Sequence, residues 1–136
     1  MKARAINIVM GLAFCLYLAS IALICFMHGE DLPNISGTLF GLPADKVAHF
    51  GMFFPFIPLA FFTFSRSRET LRRSMILLVI LVIIGGATAY MTEVIQQKLS
   101  YRTYDIKDFI SDCLGLAGGY MIITTWLIIK HSRKRH

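Results

Sequence analysis

The chain has 136 residues, of which 56% are apolar and only 16% are charged, and its formal net charge is +6. This length fits one domain, and a soluble domain of that size has too little interior to bury so many apolar residues. Runs without Asp, Glu, Lys or Arg cover 5–27, 47–64, 74–92 and 113–129, and each is about as long as a helix that crosses a bilayer. The composition therefore excludes a soluble globular protein and predicts an all-α membrane protein, a four-transmembrane-helix bundle in a single domain.

The first predicted helix covers about residues 4–27. Lys2 and Arg4 precede its apolar run, so a cleaved signal peptide is the alternative. The run is longer than the apolar region of a signal peptide, which has about 7–15 residues, and no clear small-residue cleavage site follows it. We therefore expect a retained helix. The next segment, residues 28–44, is interrupted by Pro and Gly but rich in Leu and Phe, which predicts an oily outer loop on the membrane surface or over the helix ends.

The other three helices are predicted at about 44–64, 71–98 and 106–130. Pro55 and Pro58 lie inside the second of these. Because proline removes a backbone donor and clashes with the preceding turn, we expect a kink or a local unwinding there.

Small residues mark the faces on which two helices are expected to pack closely. Gly85 and Gly86 lie in the third helix, and Gly115 and Gly119 lie four residues apart in the fourth. Such spacing allows two backbones to approach each other within a membrane.

The basic residues predict the orientation. Ten of the 14 Lys and Arg residues lie before the first helix, in the linker between the second and third helices, and in the C-terminal tail. These segments share one side of a four-span protein, so the positive-inside rule places both termini in the cytoplasm of a multi-pass protein of the inner (plasma) membrane. The basic tail is predicted to contact anionic lipid headgroups and not nucleic acid.

Most acidic residues lie on the opposite side, and their depth is informative. From the rise of about 1.5 Å per residue, His49, Glu93, Asp108 and Asp112 lie about 22 to 31 Å above the cytoplasmic helix ends. The hydrocarbon core is about 30 Å thick, so side chains from three helices meet at the outer boundary. Ionisable residues inside membrane helices are costly and point to a function.

The predicted pocket combines residues from the second, third and fourth helices and from the turn between the last two. Its members are Asp45, Lys46, His49, Glu93, Gln96, Gln97, Arg102, Asp108 and Asp112. Structural alternatives remain for several of them. Glu93 could be a solvated helix end, Asp105 could cap the fourth helix with Asp108 completing a capping arrangement, Lys46 and Arg102 could be counter-ions, and His49 could be an ordinary bundle histidine.

The same residues resemble a known family. DKVAHF (45–50), TEVIQ (92–96), Arg102 and DFISDCLGLAGG (108–119) are similar to the pattern D-K-x-x-H, E-x-x-Q, R, D-x-x-x-N-x-x-G-x-x-x-G of the VanZ-like family of small bacterial membrane proteins. The resemblance covers about residues 40–120, with Asp112 where the family usually has Asn. A member of that family is associated with resistance to the glycopeptide teicoplanin, so the resemblance implies a role in the cell envelope without supplying a reaction.

Three functions are compatible with these features. The preferred hypothesis is an outer-leaflet pocket that binds or modulates the headgroup of an envelope lipid or glycolipid. The alternative is an enzyme acting on a lipid-linked substrate, with His49 as acid or base or with a divalent cation held by His49, Glu93, Asp108 and Asp112. A carrier ranks third, because four spans without an evident inverted repeat would need a homo-oligomer. The sequence identifies no cofactor.

Overall fold

The computed structural model describes residues 2–26, 37–39, 41–65, 70–98 and 105–133. Its elements are α1 (Lys2–Phe26), β1 (Thr38–Leu39), β2 (Leu42–Pro43), α2 (Ala44–Phe53), α3 (Phe56–Phe64), α4 (Leu71–Lys98) and α5 (Ile106–Ser132). Within the described part of the chain, four helical segments are long and apolar enough to cross a membrane, and α2 and α3 together form the second. The prediction of a four-helix transmembrane bundle is confirmed.

The kink predicted in the second span is present. Residues 54 and 55 form a turn between α2 and α3. Proline has no N–H to continue the ladder of α2, and the chain resumes helical bonding when Leu59 N donates to the Pro55 carbonyl at 3.0 Å. The helix of the second span is therefore interrupted near its middle.

A small hairpin leads into α2. Strands β1 and β2 pair antiparallel, with Leu39 opposite Leu42, and Gly41 adopts a φ of 79° in the turn, a conformation that favours glycine. Ala44 N then donates to the Gly37 carbonyl at 3.0 Å. Most of the predicted oily loop, at 28–36, lies outside the described residues.

The helices pack around a core of aromatic and aliphatic side chains. α5 packs against α2, α3 and α4, while α1 packs mainly against α3. The most deeply buried large apolar residues are Phe53, Phe56, Ile57, Phe61, Leu78, Ile123 and Leu127. Many large apolar side chains on the outer faces are exposed, such as Leu16 at 71% and Ile83 at 67%, as expected for a surface that contacts lipid tails.

Two polar side chains of α1 hold it against the second span. Asn7 donates to the Ser65 carbonyl at 2.9 Å, at the end of α3. The Tyr17 hydroxyl donates to the Met52 carbonyl at 2.5 Å, next to the kink. Both bonds satisfy carbonyls that the end of a helix leaves without intrahelical partners.

Glycine allows the kinked span to lie directly on α5. A Cβ at Gly115 would collide with the Phe50 carbonyl oxygen, and one at Gly119 would lie 2.7 Å from the Phe54 carbonyl oxygen. Gly85 makes a similarly close contact with Leu116, where a Cβ would lie 2.7 Å from the side chain. The structure therefore places these three glycines at close helix contacts.

Gly86 departs from the expectation of close packing. A Cβ at this position would meet nothing within 4 Å. Gly86 instead lines an apolar groove of about 380 Å³ between α4 and α5.

Candidate functional site

Seven ionisable side chains gather where α2 and α5 begin and α4 ends. They form two layers, which we call the lysine layer (Asp45, Lys46, Asp105, Asp108) and the histidine layer (His49, Glu93, Asp112). The lysine layer lies at the first turns of α2 and α5. The histidine layer lies about 5 Å further into the bundle, or about one helical turn at the rise of 1.5 Å per residue, and it takes one residue from each of α2, α4 and α5.

His49 is the centre of the histidine layer. Its Nδ1 lies 2.9 Å from Asp112 Oδ1 and 3.9 Å from Glu93 Oε1. Its Nε2 lies 3.7 Å from Asp108 Oδ2, which links the two layers. The imidazole therefore stands among three carboxylates that come from two other helices.

The two carboxylates of this layer are withdrawn from the surface. Glu93 is 1% exposed and Asp112 is 0% exposed. Asp112 Oδ1 contacts His49, but Asp112 Oδ2 accepts no hydrogen bond from the residues that the structure describes. Buried carboxylates are stable only when they are paired, hydrogen-bonded or bound to a metal, so the second oxygen of Asp112 points to a further interaction.

Lys46 organises the lysine layer. Its ammonium lies 3.0 Å from Asp45 Oδ2 and 2.7 Å from Asp105 Oδ2, and it also contacts Asp108 Oδ1. The Lys46 side chain is only 16% exposed, while that of Asp45 is 53% exposed. One cation thus joins three carboxylates and holds the start of α2 to the start of α5.

Asp105 has two roles at the start of α5. Its Oδ1 accepts a hydrogen bond from Lys107 N at 2.9 Å, so it caps the helix as one alternative predicted. Its Oδ2 binds Lys46, and this hydrogen bond lowers the pKa of the Asp105 carboxyl below its usual value. The carboxylate is therefore ionised and shared between a cap and an ion pair.

Comparison with known proteins assigns the chain to a family. A sequence model described as VanZ/LLP1 matches residues 17–129, which include every residue of both layers. The chain belongs to the VanZ/LLP1 family. No curated protein and no solved structure matches it.

The VanZ/LLP1 chain does not bring all the predicted pocket residues together. Glu93 and Gln96 belong to the buried face of α4, but Gln97 is exposed. Successive helical residues are about 100° apart, so only one of the two glutamines can face the bundle. Gln96 does so at 4% exposure, and its amide Nε2 lies 3.9 Å from Cys25 Sγ on α1. Gln97 therefore does not line the predicted pocket.

Two other predicted members of the pocket are Asp45 and Arg102. Asp45 lies at the exposed rim, where its only described ionic partner is the adjacent Lys46. Arg102 lies outside the described residues.

The predicted pocket left out Asp105, which the structure shows as an ion-pair partner of Lys46. Asp105 directly precedes α5, and Lys46 lies in the first turn of α2. The pairing depends on these two helix starts lying side by side, which a single sequence does not reveal. Opposite charges at two helix starts on the same membrane side are the only signal that pointed to it.

Proposed function

We propose that this VanZ/LLP1 protein binds the polar headgroup of an envelope lipid or glycolipid at the histidine layer. The observation that carries the proposal is that His49, Glu93 and Asp112 converge from three helices about one and a half turns from the helix ends, with both carboxylates buried. Ionisable groups at this depth are expensive in a membrane and are expected where a polar ligand is handled. Headgroups lie at the same level of a bilayer.

The charges of the site favour a ligand that donates hydrogen bonds. The Lys46 ammonium is already shared by three carboxylates, so it is not available to a phosphate. The groups of the site that remain for a ligand are carboxylates. They accept hydrogen bonds from hydroxyl, amide and amine groups, and the negative charge of the carboxylate strengthens these bonds. Sugar hydroxyls, amides and amines are therefore the groups we expect this pocket to bind.

An apolar groove beside the site suits the tail of the same molecule. It is lined by α4 and α5, including Gly86, Cys113, Ala117 and Tyr120, and has a volume of about 380 Å³. Cys113 directly follows Asp112, so the groove starts near the depth of the histidine layer and continues along the membrane-facing side of the bundle. We assign it to a lipid acyl or prenyl chain.

The cellular setting of the proposal rests on the sequence. The distribution of Lys and Arg predicts that the site faces the outer leaflet of the plasma membrane. The resemblance to a family with a teicoplanin-resistance member connects an outer-leaflet ligand with the envelope and with glycopeptide resistance. We therefore expect the ligand to be a component of the cell wall or its lipid-linked precursors.

Lipid analysis of the purified protein tests this proposal. The wild-type protein and the variants Glu93→Gln and Gln97→Ala are purified in mild detergent from the same bacterial membranes. Wild type and Gln97→Ala should retain one enriched lipid class, and Glu93→Gln should retain about tenfold less, because a hydrogen bond to a charged group contributes about 1.5 kcal/mol or more. Identical bulk lipids in all three samples would contradict the proposal.

A second function, catalysis on the same lipid, is favoured by one contact. Asp112 Oδ1 lies 2.9 Å from His49 Nδ1, the arrangement in which a carboxylate orients an imidazole that transfers protons. In this case the lipid enriched in the wild-type sample should decay during incubation, and it should persist when His49→Ala protein is added in its place. If the lipid stays unchanged over days in both samples, the protein binds the lipid without catalysing a reaction on it.

A further inference from the structure

We propose that His49, Glu93 and Asp112 bind one divalent transition-metal cation of the Zn²⁺ and Mn²⁺ class. Each of the three side chains offers a ligand atom, and these atoms all lie within 4.8 Å of one another. The three residues come from three helices, so the cation would join the second, third and fourth spans.

The separations match a metal centre. Zinc bonds to nitrogen and oxygen ligands are about 2.0–2.2 Å long, so neighbouring ligands around one ion lie about 3–3.6 Å apart. His49 Nδ1 is 2.9 Å from Asp112 Oδ1 and 3.9 Å from Glu93 Oε1, values on either side of that interval. Side-chain shifts of less than 1 Å would therefore bring the donors to bonding distance.

The burial of Asp112 supplies the second argument. Its side chain is 0% exposed, and its Oδ2 atom has no hydrogen-bond partner within the described ranges. A cation satisfies both oxygens of a carboxylate without needing a hydrogen-bond donor.

The donor set selects the kind of cation. Mg²⁺ and Ca²⁺ prefer shells made entirely of oxygen, whereas imidazole with carboxylates suits Zn²⁺ and Mn²⁺. Three protein ligands also leave a coordination position open, as in catalytic zinc sites. That position would take a hydroxyl or amide oxygen of the headgroup, in keeping with the groups expected of the ligand. This last role rests on the proposed function, while the cation site does not.

The competing arrangement contains the same residues without a metal. A protonated His49 would pair with Asp112 and Glu93 through the contacts already described. The two arrangements differ in one measurable property, because only the first gives a stoichiometric cation that depends on all three residues.

Metal binding by the full-length protein in detergent, stripped with EDTA and supplied with no lipid, tests the inference. We expect about one Zn²⁺ per chain by calorimetry and elemental analysis, binding of Mn²⁺, and no competition from Mg²⁺ or Ca²⁺ at equal concentration. His49→Ala and Asp112→Asn should bind Zn²⁺ about a hundredfold more weakly, because each loses a ligand or an anionic charge. Asp105→Asn is the matched control, since it removes a carboxylate outside the three ligands, and should bind as wild type does.

Thermal unfolding separates loss of the site from loss of the fold. Zn²⁺ should raise the unfolding temperature of wild type and Asp105→Asn, because a ligand stabilises the state that binds it, and should leave that of Asp112→Asn unchanged. Wild type that binds no Zn²⁺ overturns the inference. So does equal binding by His49→Ala and wild type, which would place the ion at another histidine such as His131.

The lipid experiment distinguishes this outcome from failure of the proposed function. Selective lipid retention by a protein that binds no metal would overturn the cation site and leave headgroup binding intact. Stoichiometric Zn²⁺ with only bulk lipid would overturn headgroup binding and support the cation site.

Discussion

The two charged layers of this bundle use similar residues in opposite ways. In the lysine layer, a single ammonium contacts Asp45, Asp105 and Asp108, and the carboxylates are partly exposed to solvent. In the histidine layer, the carboxylates of Glu93 and Asp112 are buried, and Asp112 keeps one oxygen without a described hydrogen bond. In the first layer every carboxylate contacts the ammonium, whereas the second layer has capacity for a ligand.

This difference separates the structural charges from the functional ones. Lys46 and its partners connect the first turns of α2 and α5, so they fix the relative position of two spans. His49 lies one turn below Lys46 and points to the third span as well, through Glu93. The lysine layer therefore positions the helices that carry the histidine layer.

The largest effect on the free energy of unfolding is expected at Gly115, because both charged layers depend on its contact with the second span. Gly115→Val places a side chain against the Phe50 carbonyl oxygen and the Phe54 nitrogen, and backbone atoms cannot yield as a side chain can. We expect a loss of about 3 kcal/mol in the free energy of unfolding, at the upper end for overpacking, together with loss of ligand binding. Unfolding followed by the fluorescence of Trp126 measures it.

Gly86→Ala is the matched control for this substitution. Its new methyl group would meet nothing within 4 Å, and alanine is the better helix former by about 1 kcal/mol. Equal destabilisation by the two substitutions would show that α2 and α5 do not approach as described.

A smaller effect is expected from removing the charge of Lys46. Lys46→Met keeps the length of the side chain but leaves three carboxylates facing one another, and we expect a loss of about 1 to 2 kcal/mol in unfolding free energy because the pairs are only partly buried. Adding Asp108→Asn to this variant should recover part of the loss, since it removes one repulsive charge. Chemical unfolding of the two single variants and the double variant gives the coupling energy, and strictly additive losses would refute a lysine layer that acts as one unit.

The smallest effect is expected at Asp105. Asp105→Asn keeps a side chain that caps helices well and removes only the charge that binds Lys46. Because this contact lowers the pKa of Asp105 in the folded state, the ionised carboxylate stabilises the protein above its unfolded pKa of about 3.9. That contribution is lost as the pH falls through the lower folded pKa.

Unfolding temperatures across pH 2 to 7 measure this difference. Wild type should be slightly more stable than Asp105→Asn at neutral pH, and the two should converge in acid. A gap that widens as the pH falls would contradict the ion pair with Lys46.

Much of the fold follows from patterns along the chain. The four apolar runs predicted the spans, Pro55 predicted the interruption of the second span, and the spacing of Gly115 and Gly119 predicted a close packing face on α5. These features are local, because helix length, backbone donors and periodicity depend on residues within a few turns of each other. Gln97 was wrongly assigned to the pocket, because helical spacing alone does not decide whether Gln96 or the adjacent Gln97 faces the bundle.

The features of the site also divide into those that depend on one helix and those that depend on contacts between helices. The sequence by itself determined that carboxylates, a lysine and a histidine from three spans lie at one depth, because depth is counted along each helix. Only the tertiary structure decided how they pair: Lys46 with the three carboxylates near the helix ends, and His49 with Asp112 and Glu93 below them. Pairing depends on how far each helix is rotated and how closely it approaches its neighbours, and the glycine contacts between α5 and the interrupted second span set both.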